Sequence, residues 1–166
     1  MRILGIDPGL NITGYGVIDA GAQGVRLVEA GVVRGGKGKS LEERVAEVHA
    51  GVADVIESLS PESVAIEELY SHYERPKTAI LMGHARGVIV LAAQQAGLPI
   101  TSYAATQIKR ILTGAGRAPK DQMQLAIKHE LGLPAAPDPP DVADALAIAI
   151  THWHLGCKQS AINGQL

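Results

Sequence analysis

The sequence predicts a mixed α/β domain: an antiparallel three-strand meander followed by parallel strands that alternate with helices, giving a mixed five-stranded sheet flanked by helices. Three observations carry this expectation. Apolar runs joined by Gly- and Asn-containing turns fill residues 1–34. From Ser40 onward the apolar spacing becomes helical, broken by two more short apolar runs. The chain has 166 residues, 46% of them hydrophobic, which suits one domain with a real core.

Taken in order, RILGID, GYGVID and VRLVEAGVVR read as three strands of a meander. Ser40 offers a helix cap that Glu43 completes as a capping box, and Leu41, Val45, Val48, Val52, Val55, Ile56 and Leu59 recur on one face until Pro61 ends the helix. SVAIEE reads as a short buried strand. The helical segment after Pro76 carries Ala79, Gly83 and Gly87 at four-residue intervals, a stripe that permits close backbone approach. LPITSY is the fifth strand, with helices near 104–112, 119–131 and 141–155 after it. Residues 1–156 are expected to form the single domain and 157–166 a loosely specified tail.

With only four Tyr, one Trp and no Phe, the core must be built from Ile, Leu, Val and Ala. A lone Cys157 excludes an internal disulfide, and the first residues lack the basic and apolar regions of a signal peptide. The least polar stretch, GVIVLAAQQAGLPI, is interrupted well short of the roughly 20 apolar residues that a membrane span needs. A soluble protein of the cytoplasm, with no membrane partner, is expected.

The formal charge of −2 conceals a separation. No acid occurs between Arg75 and Lys120, where Arg75, Lys77, Arg86, Lys109, Arg110, Arg117 and Lys120 give +7; residues 1–74 carry −6 and residues 121–166 carry −3. That pattern suits a basic face tracking a polyanion beside an acidic cluster, although an unevenly charged solvated surface reads the same way.

The first strand ends on Asp7 and the fourth on Glu67, so the expected topology makes them neighbours. Asp141 and Asp144, three residues apart, share one face of the first turn of the last helix. Four carboxylates from two strand ends and a helix start suit Mg²⁺ or Mn²⁺, and a pair of such ions about 3.5–4 Å apart clamps the attacking and leaving oxygens of a phosphodiester displacement. Each acid also has a structural reading. Asp7 in IDPG serves as a turn former, and acids in a first helical turn are favoured by the macrodipole. Asp138 before Pro139 fits a helix cap, and Glu68 should point to the opposite side of its strand from Glu67.

GIDPGLNITGYGVI, VAIEELY, GHARGVIVLAA, YAATQIKRILTGAGRAPKDQMQ and DVADALAIAITH, in that order from residue 5 to residue 152, resemble the successive motifs of the RuvC family of Holliday-junction resolvases. The resemblance implies an RNase H-like fold and a homodimer working with a branch-migration helicase complex in recombination and DNA repair. It also implies metal-dependent cutting of two strands of like polarity at a four-way DNA junction, leaving 5′-phosphate and 3′-hydroxyl ends. Mg²⁺ is the implied cofactor, with Mn²⁺ able to substitute and two ions per site. Carried over, the catalytic and metal-binding acids are Asp7, Glu67, Asp141 and Asp144.

Further positions match the family's DNA-contacting segments. Tyr70 follows the catalytic Glu where an aromatic residue suits stacking on an exposed base, and it reads equally as a half-buried tyrosine. Lys109 and Lys120 match basic positions, Arg117 lies between them, and Gly114 and Gly116 would let that loop approach a DNA backbone. The stretch YSHYERPKTA places Arg75, Pro76 and Lys77 where the family commonly has smaller polar residues; Arg75 and Lys77 are kept as DNA-contact candidates. His72, His84 and His152 show no regular metal-ligand spacing. Two other classes stay open: an actin-like nucleotide-binding module, since the first hairpin resembles a phosphate-holding one, and a junction-binding protein that never cuts.

Overall fold

The computed structural model describes residues 1–69 and 76–163. In chain order the elements are β1 (Arg2–Asp7), β2 (Ile12–Gly21), β3 (Gly24–Arg34), α1 (Leu41–Leu59), β4 (Ser63–Glu67), α2 (Pro76–Gln95), β5 (Ile100–Tyr103), α3 (Ala105–Thr113), α4 (Lys120–Glu130) and α5 (Pro140–Asn163). The sheet order is β3-β2-β1-β4-β5. β1, β2 and β3 pair antiparallel, whereas β1–β4 and β4–β5 pair parallel. The meander and the crossover strands thus stand as the sequence predicts.

Alternation along the strands sorts their side chains between two cores. Leu4 and Ile6 of β1, Val17 of β2 and Val64 and Ile66 of β4 pack with Val48, Val52 and Ile56 of α1 and Ile89 of α2. Ile3, Ile18 and Ala65 face the other way, toward Leu146, Ile148 and Ile150 of α5 and Ile108 and Ile127 of α3 and α4. By the same alternation Asp7 and Glu67 fall on the α5 face. Ser40 accepts from the Glu43 amide while the Glu43 carboxylate accepts from the Ser40 amide, so the expected capping box starts α1.

α5 lies close to the sheet because glycines face it. A Cβ at Gly5 would stand 2.1 Å from the Ala145 carbonyl oxygen, and one at Gly14 would stand 2.0 Å from that of Asp141. Gly16 meets the Leu146 side chain in the same way, at 2.5 Å. Glycine inside a strand weakens it, and here the return is backbone-to-backbone packing. Alanine at Gly14 would displace the helix turn that carries Asp141.

Two details differ from expectation. α5 runs to Asn163 rather than stopping near 155, because no proline follows Pro140 and Gly156 alone interrupts the helix formers only weakly. Asp138 does not cap it. Pro140 takes the first helical position, for which its fixed φ and missing N–H suit it, leaving Asp138 exposed and one residue too early, on a cis peptide to Pro139.

Candidate active site

Asp7 is the last residue of β1 and pairs with Gly14 across the antiparallel ladder, while Ile6 pairs with Ile66 on the parallel side. Asp7 and Glu67 therefore end adjacent strands at the same level and on the same face. Gly14 in turn sits under the first turn of α5, where Asp141 Cβ lies 3.0 Å from the position a Gly14 Cβ would take. Asp144 follows one turn later. Two strand ends and one helix start thus converge.

The electrostatics record this convergence. Burial, followed by the charges of Asp144, Glu67 and Asp141, pushes the Asp7 carboxyl up to about 8, against a smaller pull downward from Lys120. Burial and Asp144 raise Glu67, which Lys109 opposes. Burial raises Asp144 as well; Lys120 and Lys109 pull it down and Asp141 adds to the rise. Ionising all four acids in this half-buried place leaves more negative charge than Lys109 and Lys120 offset.

All donors are hard carboxylate oxygens, and the raised proton affinities of Asp7, Glu67 and Asp144 mark an excess of negative charge that a divalent cation would relieve, so the set fits Mg²⁺ or Mn²⁺. Among the described residues no three acid, His or Cys side chains are gathered closely enough to hold one ion as they stand. Bringing like charges to a common point is unfavourable without a cation, so closure on an ion requires side-chain rotation.

Lys109 on α3 and Lys120 at the start of α4 line a cavity of about 190 Å³ together with Glu67, Asp144 and the apolar Ile108, Met123, Ala147 and Ile148. Gly114, at φ +78°, ends α3 and turns the chain toward α4. That conformation strongly favours glycine, a helix-ending role separate from the DNA approach expected of it. Arg117 is exposed in the α3–α4 connection and Lys77 in the first turn of α2; neither lines this cavity or acts on the acids. Tyr70 and Arg75 lie outside the described residues, as does His72. Glu68, just beyond the end of β4, is exposed, the surface position expected of it. His84 is exposed, and His152 Nδ1 meets the Tyr103 hydroxyl at 2.8 Å.

Sequence reasoning missed Gly5, Gly14 and Gly16 as the groups that set the α5 distance. The signal was present, since glycines recurring within apolar strands mark close approach. It also counted Arg86 with the basic face, whereas the structure turns its guanidinium inward to the Glu67 carbonyl and Ser102 hydroxyl oxygens.

A mixed sheet of this order, with acids at the ends of its two central strands and a helix laid across them, defines an RNase H-like nuclease fold. The chain belongs to the family described as crossover junction endodeoxyribonuclease RuvC, whose model matches residues 3–152. A crossover junction endodeoxyribonuclease RuvC from Rhodopirellula baltica is 52% identical over 153 residues, covering 92% of this chain and 86% of the relative. The Thermus thermophilus RuvC structure superposes with a TM-score of 0.88 at 38% identity, covering 96% of this chain and 97% of that one. The T. thermophilus RuvC in complex with Holliday junction substrate superposes at 0.87 with 35% identity, covering 95% and 96% of the two chains. Nucleases of this family are metal-dependent.

Proposed function

We propose that this chain resolves four-way DNA junctions by metal-dependent phosphodiester hydrolysis in recombination and repair, with Asp7, Glu67, Asp141 and Asp144 as its catalytic acids. The observation that carries the reading is the convergence of these four on the α5 face with Lys109 and Lys120 beside them. The acids would hold two Mg²⁺ ions, or Mn²⁺ in their place. Bound there, such ions supply an activated water and stabilise a leaving 3′ oxygen, giving 5′-phosphate and 3′-hydroxyl ends. The chain's own part is to hold the carboxylates rigidly at strand ends and to meet the phosphate with two ammonium groups. Ile108, Met123 and Ile148 give the same cavity an apolar lining.

Cutting two strands as a pair needs two such sites, which a second copy of the chain supplies. Support for that copy lies on α2, where Lys77, Ile80, His84, Gly87 and Leu91 form an exposed stripe at helical spacing; Ile80 is 61% exposed and Leu91 48%. A Cβ at Gly87 would meet nothing within 4 Å, so a partner helix has room to approach. Residues 1–156 act as one catalytic domain in this reading. A branch-migration helicase complex as partner and the cytoplasm as place of work rest on family membership; no helix among the described residues is long and apolar enough to cross a membrane.

The test is incubation with a synthetic four-way junction. Mg²⁺ or Mn²⁺ supports paired cleavage, and Ca²⁺ supports binding with little cutting because its looser coordination positions the reacting oxygens poorly. Efficient cleavage in excess chelator would remove the reading.

Lys109→Ala and Lys120→Ala should each weaken junction binding. The log–log salt dependence should flatten by about one unit for each phosphate that is no longer neutralised. A salt slope equal to wild type in both variants would mean that this cavity does not meet the DNA backbone. Arg117, Lys77, Arg75 and Tyr70 stay in the proposal as outer DNA contacts, with smaller expected effects.

A further inference from the structure

Glu67 ends β4, and the chain leaves the sheet immediately after it. A carboxylate at a strand end is aimed only as well as the backbone beneath it is fixed. Beyond Ile66 the β1–β4 ladder has no further pair, so Glu67 is held on the β5 side, opposite Tyr103, where the Glu68 amide donates to the Tyr103 carbonyl at 2.9 Å.

Arg86 of α2 reaches this strand end from the opposite face of the sheet to α5. Its Nε donates to the main-chain carbonyl of Glu67 at 3.3 Å, and its Nη2 donates to the Ser102 hydroxyl oxygen at 2.6 Å. Ser102 stands opposite Ile66 in the β4–β5 register, so one planar guanidinium bridges the C-terminal ends of two parallel strands. The group lies in the acid-free basic stretch, yet it is partly buried and spends two of its donors on the protein.

We infer that Arg86 is a positioning residue for Glu67: it staples the ends of β4 and β5 and thereby fixes where the Glu67 carboxylate points. This rests on the reading of Glu67 as a metal-holding acid. A lysine in this place offers one point charge and does not reproduce a two-acceptor fork.

The experiment follows single-turnover cleavage of a synthetic four-way junction against Mg²⁺ concentration for wild type, Arg86→Ala, Arg86→Lys and Ser102→Ala. Beside it stand junction binding in Ca²⁺, melting without metal, and amide exchange at Glu68. Arg86→Ala should lower the maximal rate by about ten- to a hundredfold and raise the Mg²⁺ concentration for half-maximal cutting. Junction binding in Ca²⁺ should stay within about twofold, and metal-free exchange at the Glu68 amide should accelerate about tenfold as the strand end frays. Arg86→Lys should restore only part of the rate. Ser102→Ala should move the same readouts in the same direction by less, and it decides the matter if Arg86→Ala does not fold. Combined with Glu67→Asp, whose carboxylate is already displaced, Arg86→Ala should cost far less than it does alone.

Weakened junction binding with an unchanged maximal rate would make Arg86 a DNA contact and overturn the inference. A lower melting temperature with an unchanged rate per folded molecule would overturn it too, as would full additivity with Glu67→Asp. Glu67→Gln cutting at the wild-type rate removes the reading of the site itself, an outcome separable from any result with the Arg86 variants.

Discussion

Asp7→Asn should abolish cleavage while raising the melting temperature of the metal-free protein at pH 8.5. Both effects follow from one placement. Asp7 ends the central strand, with Glu67 beside it and Asp141 and Asp144 above, and its carboxyl is pushed up to about 8 by burial and by those three charges. Asparagine keeps the size and removes the charge that would hold a cation. Loss of several kcal/mol of transition-state stabilisation corresponds to a rate decrease on the order of a thousandfold or more. Junction binding should survive or tighten, because one negative charge facing the phosphates is gone.

The stability effect has a definite sign. A carboxyl whose proton affinity is higher in the folded chain than in the unfolded chain favours folding when protonated, so its contribution is full below the unfolded value near 3.8 and is lost as pH rises toward 8. Each tenfold difference in affinity is worth about 1.4 kcal/mol, so the ionised site carries a penalty of a few kcal/mol that the Asp7→Asn variant escapes. Wild type and variant should therefore melt alike near pH 4, diverge steadily in favour of the variant as pH rises from about 4 to about 8, and differ by a constant amount above that. Added Mg²⁺ should raise the wild-type melting temperature more than that of the variant, by mass action on the folded state. A variant that melts below wild type at pH 8.5 without metal would mean that the four acids do not repel one another as described.

The convergence of these acids was legible because it depends on topology and alternation, both of which hydrophobic patterning carries. Apolar Ile3, Leu4 and Ile6 announce a central strand, and a strand period of two then puts Asp7 opposite in face to Ile6. The same logic separates Glu67 from Glu68. What patterning does not carry is the direction of a charged side chain on a helix that is apolar on most sides. α2 carries buried Ala85, Ile89, Ala92 and Ala93 as well as exposed Ile80 and Leu91, so nothing in its spacing says that Arg86 turns toward the sheet. Nor does a net charge of +7 over a segment show which of its cations reach solvent. The glycines signalled a close approach but not its partner: Gly5, Gly14 and Gly16 matter through the atoms of α5, which lies at the far end of the chain. Asp138 was misplaced by one residue because two consecutive prolines each suit a first helical position, and only the backbone decides between them.

The three acids around the start of α5 should separate sharply under the same substitution. Asp138 is exposed, precedes the helix by two residues and is absent from the charges acting on Asp7, Glu67 and Asp144. Asp138→Asn should leave melting within about 0.5 kcal/mol of wild type, and cleavage should stay within the scatter of the assay. Asp141 and Asp144 share one helix face above Asp7 and both raise its carboxyl. Asn at either position removes one of the few charges that would hold a cation, so cleavage should fall on the order of a hundredfold or more. Asp144→Asn should cost the more of the two, since Asp144 heads the charges acting on both Asp7 and Glu67, whereas Asp141 comes last of the three carboxylates acting on Asp7. All three variants should still bind a four-way junction in Ca²⁺, which keeps a failure to cut from being mistaken for a failure to bind. Should Asp138→Asn stop cleavage while Asp141→Asn and Asp144→Asn cut normally, the helix would present its acids in a different direction from the one that Gly14 and Asp7 define.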